Sequence, residues 1–571
     1  MKKKGTKKWS TALVAGAVLL MLFAACSGSK QGSQSAGSAA QGSFDANGYW
    51  TGEVVELKML VLGDTSAYNK RLDTRTMKEL EKRTGVRMSY EGVEADKFQI
   101  IMNSGECEDI INVLIGKNEG MTGFFYELND LIDKWGKDMM DTMGWAVELA
   151  RDKDTNIIWG IPTANGPMLR QDYPTWVRWD WFAEIGAPEI YTWRDYLNAM
   201  RKIQDNHPRT EDGYPVYGVT SFNDWGWPYA WAPTWPQVWG KAGYGTGIYQ
   251  NFDGDGVLRF YWDDEPGNPF FESVLFMATA KWMGILDPDC FIQNYEEMKA
   301  KRDRGQYISM FSDYVTRQWN ADYGPQGSAY EPLPWKGGAW VNGYANLISA
   351  TGFGFGIPKT SKDPDAAMRW INFVCSYNGA ELLYNGVEGI DWVKDANGKP
   401  TLTDSFIADK QNGVGPNEVG FPHDPSMIGL SSLAIDPRYD MTVQWTSDPA
   451  IAALSNTKTD QAFSDHFGVL SPLDAIKQAV IKGDMRGDGN LNSMATRMNP
   501  GDVPTNISRI GQRIIELQDT QAVLLFNTNN EQEFNALKPQ IIAAFKAIGL
   551  DEYMAFYKDR WEKQQAMVGG N

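Results

Sequence analysis

The sequence predicts an α/β protein. Short apolar runs of strand length alternate with amphipathic helical stretches from Val54 to Ile115, and a helical tail closes the chain. Such alternation with short connections builds a parallel sheet layered with helices. About 520 residues follow a leader and a linker, enough for two or three domains with substantial cores.

Val54–Leu62 (VVELKMLVL) has the density of a buried strand and runs into Gly63, Asp64, Thr65 and Ser66. Leu72, Met77 and Leu80 mark a helix that Gly85 stops. Val86, Met88 and Tyr90 alternate as a second strand, and a helix near Ala95–Asn103 followed by a strand at Asp109–Ile115 repeats the unit. Ligands of open parallel sheets lie beyond the carboxyl ends of the strands. That places Asp64, Lys117 and Asn118 on one rim, although Asp64 equally suits a turn cap.

Asn156–Ile161 is a short strand entering Pro162–Pro167, whose proline and glycine mark a crossing point. Trp176–Trp179 is strand-like, and a helix starts near Asp180. Thr192 and Asp195 form a capping box for a helix carrying Tyr196, Leu197 and Met200. Tyr217–Ser221 is a strand that delivers Ser221–Gly240, SFNDWGWPYAWAPTWPQVWG. Trp225, Trp227, Tyr229, Trp231, Trp235 and Trp239 are broken up there by Pro228, Pro233 and Pro236, which deny the segment one regular helix or central strand; a helix can start at Pro236. Rigidly held indoles suit a flat amphipathic ligand such as a pyranose, stacking on its C–H face and reaching its hydroxyls through N–H. Each ring taken singly also suits core packing.

Further along, Asp363 caps a helix with Pro364 in its first turn. Ala367, Trp370, Ile371 and Val374 then form an apolar core stripe. Trp392 follows Gly386 and Gly389 on a loop, a setting that fits either cleft exposure or packing. Trp335 and Trp340 flank Gly337 and Gly338 and are minor candidates. Arg178 suits a surface ion pair or a cleft contact. Helices near Pro504–Leu517, Glu531–Ile548 and Asp551–Gln565 form the tail.

The first 25 residues read as a secretory leader, with lysines ahead of an apolar run from Ala12 to Ala25 that is short for a membrane span. The run ends in Leu22-Phe-Ala-Ala-Cys26, which resembles a bacterial lipobox with Phe23 in place of the usual aliphatic residue. A diacylated Cys26 would hold the protein stably on a membrane. Ser27–Gly48, rich in Ser, Gly, Gln and Ala, reads as a flexible tether.

The formal net charge is −18, and loss of the five leader lysines takes the remainder to −23. So acidic a body is a poor partner for nucleic acid. Cys107, Cys290 and Cys375 are far apart and follow no metal-ligand spacing, so they read as small buried hydrophobes. His207, His423 and His466 are scattered, which gives no zinc set and no nucleophilic triad. Asp205–Gly213 carries Pro208 and Arg209, which spoil an oxygen-ligand loop for calcium; Asp253–Gly256 and Asp484–Asn490 read as turns, lacking the spacing of an EF-hand. No metal and no cofactor are expected.

RWDWFAEIGAPEIYTWRDYLNAM, YGVTSF, GILDPDCFIQNYEEM, FGFGIPKTSKDPDAAMRWINFVCS and GAELLYNGVEGIDW, in that order, resemble the family 1 extracellular solute-binding proteins of ABC importers. The chain is most similar to large LipO-like lipoproteins of Gram-positive bacteria, over most of residues 50–400. The resemblance implies a two-lobed, type II periplasmic-binding-protein-like fold, with hinge crossings near Ile161–Pro167, Phe311–Tyr314 and Phe355–Lys359 and a helical C-terminal tail packed on the second lobe. In this division 1–25 is the signal peptide and 26–50 the lipid anchor and tether. Residues 51–161 with 312–358 form the N-terminal lobe, and 162–311 with 359–571 the C-terminal lobe.

It further implies a ligand trapped between closing lobes. Trp225, Trp227 and Tyr229 fall where sugar-binding members carry an aromatic stacking loop, while Trp235 and Trp239 anchor that loop. Asp64 falls on the first-strand loop, Asp313 and Tyr314 at the second crossing, and Asp391 and Trp392 beside the cleft. The implied partners are a carbohydrate, an oligosaccharide, and ABC permease subunits. The implied setting is a monomer, lipid-anchored through Cys26 on the extracellular face of the cytoplasmic membrane, with no catalytic residue. The alternatives are a secreted glycoside hydrolase, which needs two carboxylates about 5–10 Å apart across one sugar, and a binder of another small solute on the same fold.

Overall fold

The computed structural model describes residues 42–62, 65, 69, 71–93, 95–105, 107–114, 123–152, 155–168, 174–223, 241–243, 246–251, 257–265, 268–341, 347–411, 429–487 and 501–569. Expectations for the leader, Cys26, Asp64, Lys117, Asn118, the segment from Trp225 to Trp239 and His423 lie outside the described residues.

The first units form as their periodicity predicts. β1 (Val55–Leu62) leads to α1 (Arg75–Thr84), which the Thr74 side chain caps by accepting from the Met77 amide. Gly85 ends α1 at φ 68°, a conformation glycine adopts without strain. β2 (Val86–Val93), α2 (Ala95–Ser104), β3 (Ile110–Leu114), α3 (Asn129–Trp135) and α4 (Lys137–Leu149) follow, then β4 (Ile161–Met168). β5 (Trp176–Arg178) opens the next body, with α5 (Trp193–Asn206) started by the expected Thr192–Asp195 box. α6 (Pro269–Trp282), α7 (Tyr295–Asp303), β6 (Ser309–Met310), α8 (Asp313–Tyr323) and β7 (Tyr330–Pro332) continue it. The chain then returns in β8 (Leu347–Gly356), α9 (Pro364–Val374, capped by Asp363) and α10 (Tyr377–Asn385). The tail is α11 (Thr505–Phe526), α12 (Glu531–Ala547) and α13 (Leu550–Gly569).

The main sheet has the order β2-β1-β3-β8-β4. β1 runs parallel to both neighbours, but β8 lies antiparallel to β3 and to β4, so the expected parallel layer is one side of a mixed sheet. β8 and β4 pair with register shifts between Leu347 and Ser349 and between Ala350 and Gly354, which bend the ladder along the strand that leaves this sheet and the one that returns to it.

Two cores divide the molecule into two lobes. Leu57, Met88, Ile110 and Met139 share one core with Phe355, Trp370, Ile371 and Leu383. Tyr196, Met200, Trp262 and Phe276 share the other with Ile514, Phe545 and Tyr553, so the tail helices pack on the second lobe as expected. The expected lobe boundaries need correction. Residues 312–335 belong to the second lobe, because Glu331 pairs with Val177, Val177 with Ser309, and Val315, Trp319 and Tyr330 share a cluster with Trp176. Residues 359–385 belong to the first lobe through α9 and α10. Among the described residues the chain therefore changes lobe between β4 and β5, between Val341 and Leu347, and between Trp445 and the helix Lys458–Phe467, whose Phe463 lies in the second core. Neither Phe311–Tyr314 nor Phe355–Lys359 is a crossing.

Part of the stretch expected as tether is folded. Residues 42–52 fold as a clasp on the first lobe. Ser43 and Thr51 exchange hydrogen bonds, Asp45 caps the amides of Asn47 and Tyr49, and the Trp50 amide bonds the Lys82 carbonyl. The Arg369 guanidinium lies 3.8 Å over the Trp50 ring, and Trp135 meets it edge-on at 6.1 Å. Met485–Gly487, expected in a turn, is a strand paired with Ala339–Val341. Cys290 and Cys375 are buried and Cys107 partly so. Among the described residues no helix is long and apolar enough to cross a membrane.

Candidate functional site

The expected strand Tyr217–Ser221 forms as two bridges, Tyr217 with Tyr307 and Val219 with Leu286. Gly218 permits this approach, since a Cβ there would come within 2.9 Å of the Met200 side chain. The strand ends at Phe222, fully buried, whose ring meets Tyr295 at 5.3 Å and Phe311 at 5.8 Å. Asn223 is held by its amide on the Gln293 carbonyl and by its side chain on the Phe291 carbonyl. The tryptophan segment continues from there, outside the described residues.

Phe311 precedes Ser312, the residue at the N-cap of α8, and Asp313 and Tyr314 open that helix. The side chains of Asp313 and Tyr314 lie outside the described ones, but their backbone starts beside Phe222. The structure thus brings two of the sequence-predicted segments together at their roots. On the first lobe, Thr65 is buried and, with Asn69, hooks the turn after β1 onto Tyr90 of β2. Asn69 donates to the Tyr90 carbonyl at 2.9 Å and accepts from the Tyr90 amide, while Thr65 reaches the same carbonyl at 3.4 Å. Asp64, outside the described residues, directly precedes this hook.

Asp391 and Trp392 are not cleft residues. Asp391 is 1% exposed, pairs with the Nε and Nη2 of Arg75 and accepts from the Val387 amide. Trp392, 2% exposed, donates its indole N–H to the Gly386 carbonyl and packs edge-on against Trp445 at 4.5 Å. The two glycines that suggested an exposed loop instead make a tight turn. Gly386 has φ 81°, and any Cβ there would strike Asp391. Trp370 and Trp335 are buried, the first as expected of its stripe.

Arg178 forms an ion pair, but a buried one. It chelates Asp180 at 2.9 and 2.6 Å and lies 3.9 Å over the Trp181 ring, on which His207 also stacks at 4.6 Å. In the loop that follows, Arg209 donates to the Gly213 carbonyl. Among the described residues no group of three or more His, Cys, Asp or Glu side chains is placed to hold a metal ion. A pocket of about 420 Å³ opens on the first lobe between Leu60, Ile101, Cys107 and Thr360. Its carboxylates are already paired, Glu91 with Lys58 and Lys97, and Glu108 with Lys58.

The sequence reading missed Asp287 and Gln293, which hold residues 219–223 from below. The Asp-Pro-Asp turn at 287–289, directly ahead of Gln293, was the available signal.

No protein-family model matches the sequence, and no curated protein matches it significantly. Solved structures match along nearly all of it. The S. pneumoniae ABC-transporter substrate-binding protein FusA, an EF-hand mutant in complex with fructo-nystose, aligns at TM-score 0.55 and 17% identity, covering 90% of this chain and 100% of that one. The alginate-binding protein AlgQ2 without calcium ion aligns at TM-score 0.56 and 15% identity, covering 89% and 98%. An extracellular solute-binding protein from Bifidobacterium longum subsp. infantis aligns at TM-score 0.52 and 14% identity, covering 91% and 100%. The chain has the two-lobed α/β fold that these binding proteins share.

Proposed function

We propose that the protein is an extracellular solute-binding protein that captures an oligosaccharide between its lobes and hands it to an ABC permease, without covalent chemistry. The observation that carries this reading is the tryptophan and proline segment that follows Asn223 in the sequence, with the residue ahead of it, Phe222, packed against Phe311 at the start of α8. Trp225, Trp227 and Tyr229 stack on sugar faces, and Asp313 and Tyr314, with Asp64 from the first lobe, take the hydroxyls. The fold supports the reading, and so do the neighbours' names, one crystallised with fructo-nystose and one called alginate-binding. Cys26 carries the lipid that keeps a monomer on the outer face of the membrane.

A thermal-shift screen against glycans and amino acids tests the reading, because a ligand stabilises the fold in proportion to the logarithm of its concentration over its dissociation constant. A glycan-specific rise confirmed by calorimetry, with no turnover of labelled oligosaccharide, is the expected result. Turnover would make the protein a glycoside hydrolase instead, and a rise with amino acids alone would change the solute class.

A further inference from the structure

The stretch from Val219 to Asn223 rests on a buried polar hub. Asp287 is fully buried and accepts from the Tyr307 hydroxyl at 2.6 Å, the Thr220 hydroxyl at 3.1 Å, the Gln293 side chain at 3.0 Å and the Lys301 ammonium at 2.9 and 3.0 Å. Its backbone amide bonds the Val219 carbonyl. Gln293, 3% exposed, acts twice. Its side chain donates to the Ser221 carbonyl at 2.6 Å, and its own carbonyl takes the Asn223 amide at 3.1 Å.

The surroundings are apolar, with Val219, Ile285, Leu286 and Cys290 all buried nearby. Stability alone would be served as well by apolar residues there, since burying a charged pair costs much of what the pairing returns. What a fully satisfied network adds is a single defined geometry. Here that geometry fixes the course of residues 219–223. Gln306 makes the matching bonds at the other end of the strand, to the Pro215 carbonyl and from the Tyr217 amide.

We propose that Gln293 and Asp287 are positioning residues: they hold residues 219–223, from which the tryptophan segment continues, in one course on which sugar affinity depends. The proposal rests on the function given above.

The test compares Gln293→Ala and Asp287→Asn with Gln306→Ala in the full chain. Hydrogen exchange of the apo protein comes first. Peptides covering 217–223 should exchange several-fold faster in Gln293→Ala, with peptides of α11–α13 unchanged. Equal acceleration across the whole second lobe, or none, overturns the proposal. Calorimetry with kestose and with Man5GlcNAc, sugars bound by proteins of this fold, comes second. Gln293→Ala should weaken binding about ten-fold, the scale of one lost buried hydrogen bond, while Gln306→Ala leaves affinity unchanged. Equal effects of the two variants mean a purely structural network. If the wild type binds neither sugar, the functional reading is what fails, and the exchange comparison still decides whether Gln293 holds residues 219–223. Asp287→Asn, nearly isosteric, gives the same comparison should Gln293→Ala fold poorly.

Discussion

The rings of Phe222 and Phe311 sit 5.8 Å apart, buried in one cluster of the second lobe. Eighty-nine positions separate them in the sequence, yet one leads into the tryptophan segment and the other into α8. Whatever moves one root moves the other.

If the segment binds sugar, replacing both Trp225 and Trp227 with Ala should cost a few kcal/mol of affinity, since each stacked ring typically contributes about 1–3 kcal/mol. The melting temperature should hold. Calorimetry showing unchanged affinity would remove the segment from the site.

Removing Arg75 leaves the Asp391 carboxylate buried without its counter-charge. Arg75→Ala should therefore destabilise by about 2–3 kcal/mol in denaturant titrations, below the range for a fully buried pair because Arg75 is partly exposed. Asp391→Asn should cost less, since it removes the buried charge itself, and the guanidinium that faces it is partly exposed. Neither change should alter sugar affinity; a large affinity loss in Asp391→Asn at unchanged stability would return this residue to the cleft.

Trp392→Ala should act on stability alone, at about 3–5 kcal/mol, the usual result of emptying a large buried site. Equilibrium unfolding beside a binding titration separates the two effects.

Glu381 gives the protein a pH slope. Burial pushes its carboxyl up to about 7, outweighing the Arg438 guanidinium 2.9 Å away. A carboxyl whose folded value lies above its unfolded value favours folding at low pH. That contribution is complete below about 4.5 and is lost as pH rises through about 7. Glu381→Gln should flatten stability across this window, removing a difference on the order of 2 kcal/mol. An unchanged slope in melts at pH 5 and pH 8 would mean that Arg438 holds the carboxylate ionised throughout.

Gly85→Ala should loosen the clasp. The position has φ 68°, and a Cβ would come 2.1 Å from the Trp50 ring. A loss of about 2 kcal/mol is expected, with faster hydrogen exchange at 42–52.

Local signals were legible in the sequence. The periodicity from β1 to β3, the Thr192–Asp195 box and the Asp363–Pro364 start all depend on neighbours a few residues apart, and all formed as read. Long-range pairing was not legible. Nothing near Glu331 says that it will face Val177, so residues 312–335 were assigned to the wrong lobe. Pro162, Gly166 and Pro167 suggest a crossing, yet β4 accommodates them at two register shifts with β8, Pro162 at one and Gly166 with Pro167 at the other. Asp391 and Trp392 failed for the same reason: their partners, Arg75 and Trp445, lie far away in sequence and turn an apparent loop into a buried joint. Composition misled at 42–50, where small polar residues continue the look of a linker while Trp50 and Asp45 already fold. The candidate site was half legible, its segments by residue type and their meeting point only by packing.

The clasp has a mechanical meaning. β1 is an inner strand of the main sheet, and the chain enters it only a few residues after Trp50. Traction on the chain ahead of Gly42 reaches the Ser43–Thr51 bonds and the ring wedged beneath Arg369 before it reaches Val55. The clasp works as strain relief does on a cable. A pull along the chain is stopped at a knot on the first lobe, and the sheet behind it feels no tug.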